Sequence, residues 1–370
     1  LHIFSRQQML RVRTLPTRRL PEPEPEHRFG CRHPVEKEIL EQETNMQTYF
    51  VTGAMGFIGS HWCEHLLRQG KKVIGLDIRK MYPRLLEYEN FIFVHDTINN
   101  TKVVERCIDA SDCVCHFCGI ATPKTYVTSP AKVIDVTAKA GLEIINLCRL
   151  KGKLFFFTST SEIYGKNMDV PFREDGDRTL GSTATHRWCY STSKALLEHY
   201  LVACAENGEL DFITVRLFNV YGPRLTGRVA STFLKNAIDE KPLIVHGDGS
   251  QTRSFTYVDD VIAAFEQLIA APQCYNSIYN IGNPTETSIR DFAQIVRDLS
   301  GTSAPMEFRS HKSCYGDSYE DIPRRVPDIS RINACIGWEP TTPLADGLRR
   351  TIASMREEKR LLEEQEARIS

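Results

Sequence analysis

The sequence has no apolar run approaching the roughly 20 residues a bilayer-spanning helix needs, so no such helix is expected. It also lacks a surplus of either charge. Its 46 Lys and Arg face 47 Asp and Glu, and a formal net charge of −1 gives no global field to draw nucleic acid or an anionic membrane. No internal repeat is present. Cysteine is not scarce, at 12 residues, but a disulfide framework is missing from the pattern. Cys63, Cys107, Cys113, Cys115, Cys148 and Cys204 sit inside apolar strand or helix patterns, where a free cysteine behaves as a small hydrophobe. A reducing compartment, the cytoplasm, is the matching expectation. The stretch D-C-V-C-H-F-C-G does not read as a metal site. With period two, Cys113 and Cys115 share one strand face, Cys118 takes the other and His116 points away from the first pair, so packing rather than zinc is expected.

What is there is an ordinary apolar and charged content over 370 residues, enough for a large core and about two domains. Residues 1–45 stand apart: rich in Arg, Pro and Glu, with the run P-E-P-E-P-E and no hydrophobic periodicity, they are expected to be disordered. The chain opens on Leu1 and Met46 precedes the first strand, which fits an over-extended gene start. The glutamates after Arg18 and Arg19 count against an organelle transit peptide.

From Met46 onward strands and helices alternate. Strand-like runs fall at 48–53, 72–77, 91–96, 113–119, 153–160, 212–219 and 277–282, and helical patterns at 130–150 and 189–207. This alternation predicts an α/β fold, a doubly wound parallel sheet whose strand C-termini line one ligand-binding edge. After Asn219 the helices at 229–240, 288–300 and 344–360 are separated by Pro- and Gly-bearing loops, and predict a smaller, mostly α domain over the cleft. The expected division is a nucleotide-binding domain at 46–221, rejoined by 255–283, and a substrate domain at 222–254 and 284–363.

The run T-Y-F-V-T-G-A-M-G-F-I-G, 48–59, organises the rest. A strand ends at Gly53, Gly56 and Gly59 follow, and an amphipathic helix begins at Phe57. Glycine serves where backbone must turn sharply and approach a pyrophosphate, which the free N–H groups of the helix start, at Phe57, Ile58 and Gly59, then face. Asp77 closes the second strand about 20 residues on, where a carboxylate holds ribose hydroxyls.

Two further stretches carry chemistry. In F-F-F-T-S-T-S-E-I-Y-G a buried aromatic strand breaks abruptly into Thr160, Ser161 and Glu162 at the ligand edge. In Y-S-T-S-K, Tyr190 and Lys194 lie four apart and share a helix face. An ammonium beside a phenol favours the phenolate, so Tyr190 is expected to be lowered toward neutral pH and to act as a proton acceptor.

G-A-M-G-F-I-G, S-T-S-E-I-Y-G, Y-S-T-S-K and R-L-F-N-V-Y-G-P-R together resemble the extended short-chain dehydrogenase/reductase family, from Met46 to about Ile352. The resemblance implies a Rossmann-type fold, bound NAD, and a homodimer packed through the helix of Tyr190 and Lys194. It implies that Gly53, Gly56 and Gly59 take the pyrophosphate, Asp77 the adenosine ribose and Asp96 the adenine side. A carboxylate at Asp77 favours NAD over NADP. Thr160 matches the family's catalytic Ser/Thr, Tyr190 its base and Lys194 the residue on the nicotinamide ribose. Asn219, Arg228 and Arg253 match contacts to a nucleotide-diphosphate sugar, where a guanidinium suits a diphosphate. Cys118 departs from the small residue usual there.

The shared chemistry is a transient oxidation of the sugar at C4, after which the 4-keto sugar is epimerised, dehydrated or decarboxylated. The string T-S-E lacks the acid of the T-D-E found in 4,6-dehydratases, whereas simple 4-epimerases commonly lack Glu162. T-S-E-x-Y-G with Arg253 in T-R-S-F is similar to UDP-glucuronate decarboxylases, with Ser161 and Glu162 expected around C5. Epimerase and dehydratase remain the alternatives. An inert NAD-binding scaffold is a third reading, opposed by the intact Thr160, Tyr190 and Lys194.

Overall fold

Runs rich in β-branched and aromatic residues form one parallel sheet in the structure, a computed structural model that describes residues 47–310, 322 and 324–369. The strands are β1 (Thr48–Thr52), β2 (Lys72–Asp77), β3 (Phe91–His95), β4 (Cys113–His116), β5 (Leu154–Thr160), β6 (Phe212–Leu217) and β7 (Ser277–Ile281). They lie side by side in the order β7-β6-β5-β4-β1-β2-β3, every pair parallel. The order turns back on itself between β1 and β4, and the crevice outside their C-terminal ends is where such sheets bind ligands. The strands end at or slightly before the expected positions, because the chain leaves the ladder where glycine and polar residues take over, at Gly53, Asp96 and Asn219. The expected disorder of residues 1–45 lies outside the described residues.

Alternating side chains divide the core. Val51, Cys113, Cys115 and Phe156 pack on one face, and Phe50, Val114, Phe155 and Phe157 on the other. Helices α1 (Phe57–Arg68), α2 (Thr101–Asp109), α3 (Ala140–Lys151) and α4 (Trp188–Glu206) cover the faces. The helix expected over 130–150 is not continuous. A helical turn at Pro130–Ile134 and a wide π turn at Asp135–Lys139 precede α3. The wide turn brings Thr137 into the interior beside Gly119, and α3 then meets α4 so closely that a Cβ on Gly141 would lie 2.5 Å from Leu197.

Beyond Asn219 the described residues form small two-stranded pieces and five further helices, Val229–Ile238, Val258–Ile269, Ile289–Ser300, Ser330–Ile336 and Leu344–Ile369. Ser288 caps its helix by accepting from the Asp291 amide at 3.0 Å. Phe233, Leu234, Phe292 and Ile352 of these elements belong to the same apolar cluster as Val51 and Phe156, and the described residues belong to one compact unit. The last helix runs past the expected end at Arg360.

The six cysteines expected as packed thiols are free, but one bridge forms where no disulfide was expected. Cys274 and Cys335 form a disulfide, because a 3-10 turn at Pro272–Cys274 and the helix Ser330–Ile336 bring their Cα atoms to 6.3 Å. Eight other described cysteines are free, six of them buried. Among the described residues no helix is long and apolar enough to cross a membrane.

Candidate active site

The glycine turn is built for close approach. Gly53 has φ +70°, and a Cβ there would lie 3.0 Å from the Cys118 amide nitrogen. A Cβ on Gly59 would sit 2.1 Å from the Gly53 carbonyl oxygen. No side chain caps α1, so its first amides are left to face a ligand. Asp77 at the end of β2 is buried and fixed: its carboxylate accepts from the amides of Met55 and Arg79, each at 3.0 Å. These features fit a dinucleotide, with a cradle that any side chain would fill and an acid beside it. Cys118 belongs to this corner through its backbone, donating its amide to Thr52 Oγ1 at 3.2 Å, and burial pushes its thiol up to about 11. It is a packed thiol, not a thiolate.

At the end of β5 the chain turns into a short 3-10 helix, Ser161–Tyr164. Thr160 both caps that helix, accepting from the Glu162 amide at 3.2 Å, and hydrogen-bonds Tyr190. Tyr190 is buried and stacked on Tyr126, with ring centroids 4.8 Å apart. Lys194, one turn further along α4, donates to the Thr158 carbonyl at 2.8 Å and lies 5.9 Å from the Tyr190 ring centroid.

The electrostatics differ from the sequence expectation. Burial pushes the Tyr190 phenol up to about 12; Arg228 and the Thr160 hydrogen bond oppose the rise and Glu162 adds to it. The Lys194 ammonium does not pull the phenol down; burial instead draws that ammonium down to about 8, with Cys118 and Glu198 acting the other way. Desolvation of both groups outweighs their mutual effect.

Glu162 is the centre of a second cluster. Arg187 reaches its Oε2 at 3.1 Å and Arg325 its Oε1 at 2.7 Å. Burial alone would raise this carboxyl, but Arg325 and Arg187, helped by Arg228, hold it down to about 2. Sequence reasoning missed Arg187 and Arg325. Arg187 stands three residues before Tyr190, a usable signal on a helix entry. Arg325 lies in the irregular stretch P-R-R-V-P-D, 323–328, where no periodicity speaks for it.

The structure thus gathers Thr160, Glu162, Tyr190, Lys194 and the exposed Arg228, with the buried Ser161 between the first two. Phe57 and Ile58 pack against the core at the start of α1. Asn219, at φ +31°, donates to the Ser254 carbonyl at 3.0 Å and so steadies the strand carrying Arg253. The Arg253 Nη1 donates to Thr252 O at 2.7 Å. Asp96 lies on the distant edge beyond β3, its carboxylate accepting from Thr97 N and Asn100 Nδ2.

Residues 49–282 match the model of the NAD dependent epimerase/dehydratase family. The chain belongs to that family. Like the family, it is an NAD-dependent enzyme of nucleotide sugars. It is 30% identical to UDP-glucuronic acid decarboxylase 1 of Xenopus tropicalis, over 90% of this chain and 77% of the relative. It is 33% identical to the UDP-N-acetyl-alpha-D-glucosaminuronate decarboxylase of Bacillus cytotoxicus, over 83% of this chain and 97% of the relative. Among solved structures it is similar to the UDP-glucuronic acid 4-epimerase of Bacillus cereus in complex with UDP-glucuronic acid and NAD. There the identity is 26% and the TM-score 0.75, over 84% of this chain and 99% of the other.

The glycine cradle gives a direct test of NAD binding in this epimerase-family chain. Gly59→Ala forces a methyl into the Gly53 carbonyl and is expected to cost about 1–3 kcal/mol of stability together with NAD affinity. An unchanged thermal midpoint and unchanged NAD titration would mean that the turn is not the close-packed cradle described.

Proposed function

We propose that the enzyme decarboxylates a UDP-uronate, UDP-glucuronate first among them, through a transient 4-keto sugar. The observation that carries this is the gathering of Arg187, Arg325 and Arg228 around Glu162, beside the Tyr190 phenol. A neutral hexose gives such a cluster little to act on, whereas a carboxylate at C6 suits paired guanidiniums. The relatives named as decarboxylases of glucuronate and glucosaminuronate support the same substrate class.

In this reading Gly53, Gly56 and the amides of Phe57, Ile58 and Gly59 hold the pyrophosphate of NAD. Asp77 holds the adenosine ribose, Asp96 borders the adenine, and Lys194 holds the nicotinamide ribose. Asn219, Arg228 and Arg253 hold the sugar nucleotide. NAD held there would supply the hydride acceptor and donor for C4. Tyr190 accepts the proton of the C4 hydroxyl, and Thr160 steadies that oxygen by a hydrogen bond. With C4 a ketone, the C5–C6 bond breaks: its electron pair passes into the carbonyl, the carboxylate leaves as carbon dioxide, and a proton adds at C5. Ser161 and Glu162 line C5, and Arg325 and Arg187 fix the carboxylate out of the plane of the ketone.

The test is mass spectrometry of products from a panel of UDP- and dTDP-sugars. Loss of carbon dioxide from UDP-glucuronate is expected, with transient absorbance of the reduced cofactor. An unchanged mass with inverted C4 would favour the 4-epimerase reading, which the Bacillus cereus neighbour supports. The proposal takes residues 46–221 with 255–283 as the NAD domain and 222–254 with 284–363 as the sugar domain. It also takes the working form as a cytoplasmic homodimer packed through α4, on which Leu196 is exposed. The eight free cysteines support a reducing compartment and the Cys274–Cys335 bond counts against it.

A further inference from the structure

Behind the site runs a buried polar network that the chemistry above does not use. Arg216 on β6 grips Glu198 of α4 with two nitrogens, Nε at 3.2 Å and Nη2 at 2.7 Å. Its Nη1 donates to the Tyr164 hydroxyl and to the Glu174 carbonyl, each at 2.9 Å. The Tyr164 hydroxyl donates in turn to Asn280 Oδ1 on β7 at 2.7 Å. Asn280 Nδ2 donates to the Phe172 carbonyl at 2.8 Å and to the Asp328 carbonyl at 3.2 Å. Phe172 pairs with the chain on either side of Pro327, taking the Val326 carbonyl at 2.7 Å and receiving the Asp328 amide at 2.8 Å.

The path therefore starts on the helix of Tyr190 and Lys194, two turns past the phenol, and ends on the residues next to Arg325. On the way it passes Tyr164, the last residue of the short helix that carries Glu162. Tyr164, Arg216 and Asn280 are all buried, and a buried network of satisfied groups has few alternative arrangements. Arg325 itself comes from an irregular segment with no helix or strand to fix it, so its placement depends on such ties.

We propose that Arg216, Tyr164 and Asn280 are positioning residues that hold the Arg325–Glu162 pair in register with the Tyr190 helix. The proposal rests on the two-stage reading above, in which Tyr190 serves oxidation and the Arg325–Glu162 pair serves loss of carbon dioxide. Loosening the network displaces Arg325 and leaves Tyr190, Thr160 and Lys194 in place. It slows the second stage alone.

Tyr164→Phe removes the linking hydroxyl but keeps the ring stacked on Phe172 at 4.5 Å between centroids. In single turnovers with UDP-glucuronate, the reduced cofactor is expected to form at close to the wild-type rate and to accumulate. Decarboxylated product should form about tenfold to a hundredfold more slowly, the scale of loss from a small misplacement. Asn280→Ser should do the same, which guards against a folding defect peculiar to one variant. Product formation at the wild-type rate, or equal slowing of both stages, would overturn the proposal. A second measurement needs no turnover. Thermal midpoints of Tyr164→Phe, Arg325→Ala and the double variant should be non-additive, because the network and the ion pair are coupled. Additive shifts would overturn the network. A wild type that releases no carbon dioxide from UDP-glucuronate ends the decarboxylation reading, and the thermal cycle then decides the network by itself.

Discussion

Tyr190→Phe is expected to lower turnover about a thousandfold while NAD stays bound, the scale of loss when a positioned proton acceptor is removed. The argument is geometric first. Tyr190 shares a hydrogen bond with Thr160, stacks on Tyr126 and is buried beside Glu162 and Arg228, so the phenol oxygen is the part of the ring turned to polar groups. Phenylalanine keeps the stack and deletes that oxygen. The pH dependence follows with a definite sign. A phenol raised to about 12 is protonated at neutral pH, so turnover in the wild type should climb as pH rises and the acceptor form grows. The climb should flatten once Lys194 begins to lose its proton at about 8. In Tyr190→Phe the residual rate should lack the climb. Turnover near the wild-type level, measured as product per active site, would remove Tyr190 from the chemistry.

The contrast between Tyr190 and Arg325 shows what a sequence displays and what it hides. The sheet was legible because every strand of β1 to β7 is a short apolar run bounded by turn residues, and period-two alternation even separated Cys113 and Cys115 from Val114. The glycine turn, Asp77, Thr160, Tyr190 and Lys194 were legible because each is tied to a strand end or a helix face, where spacing fixes geometry. Arg187 and Arg325 have no such spacing. They meet at Glu162 across 138 residues of chain, and only tertiary packing makes them neighbours. The same holds for the Cys274–Cys335 bond, whose partners are 61 residues apart. The raised Tyr190 phenol is hidden in the sequence for a different reason: spacing places an ammonium near a phenol, but burial depth, which decides the outcome, is not written in an i, i+4 pattern.

Arg325→Ala is expected to cut carbon dioxide release about a hundredfold while reduction of the cofactor persists, because the group proposed to fix the substrate carboxylate is lost but Tyr190 is untouched. Reduced cofactor should therefore build up. Simultaneous loss of both stages would show instead that Arg325 serves binding of the whole sugar nucleotide. Glu162→Gln probes the other half of the pair and carries a stability signature. A carboxyl held at about 2 against an ordinary 4.5 binds fewer protons folded than unfolded, so it stabilises the fold above pH 4.5 and loses that contribution as pH falls toward 2. The shift corresponds to something on the order of 3 kcal/mol. Glutamine retains the shape but leaves Arg187 and Arg325, both buried, facing a neutral amide. The variant should be less stable than wild type at neutral pH, and the difference in thermal midpoint should shrink on acidification below pH 4.5. A gap that stays constant down to about pH 3 would mean that the arginines do not hold Glu162 ionised, and the cluster that points to a uronate would lose its electrostatic basis.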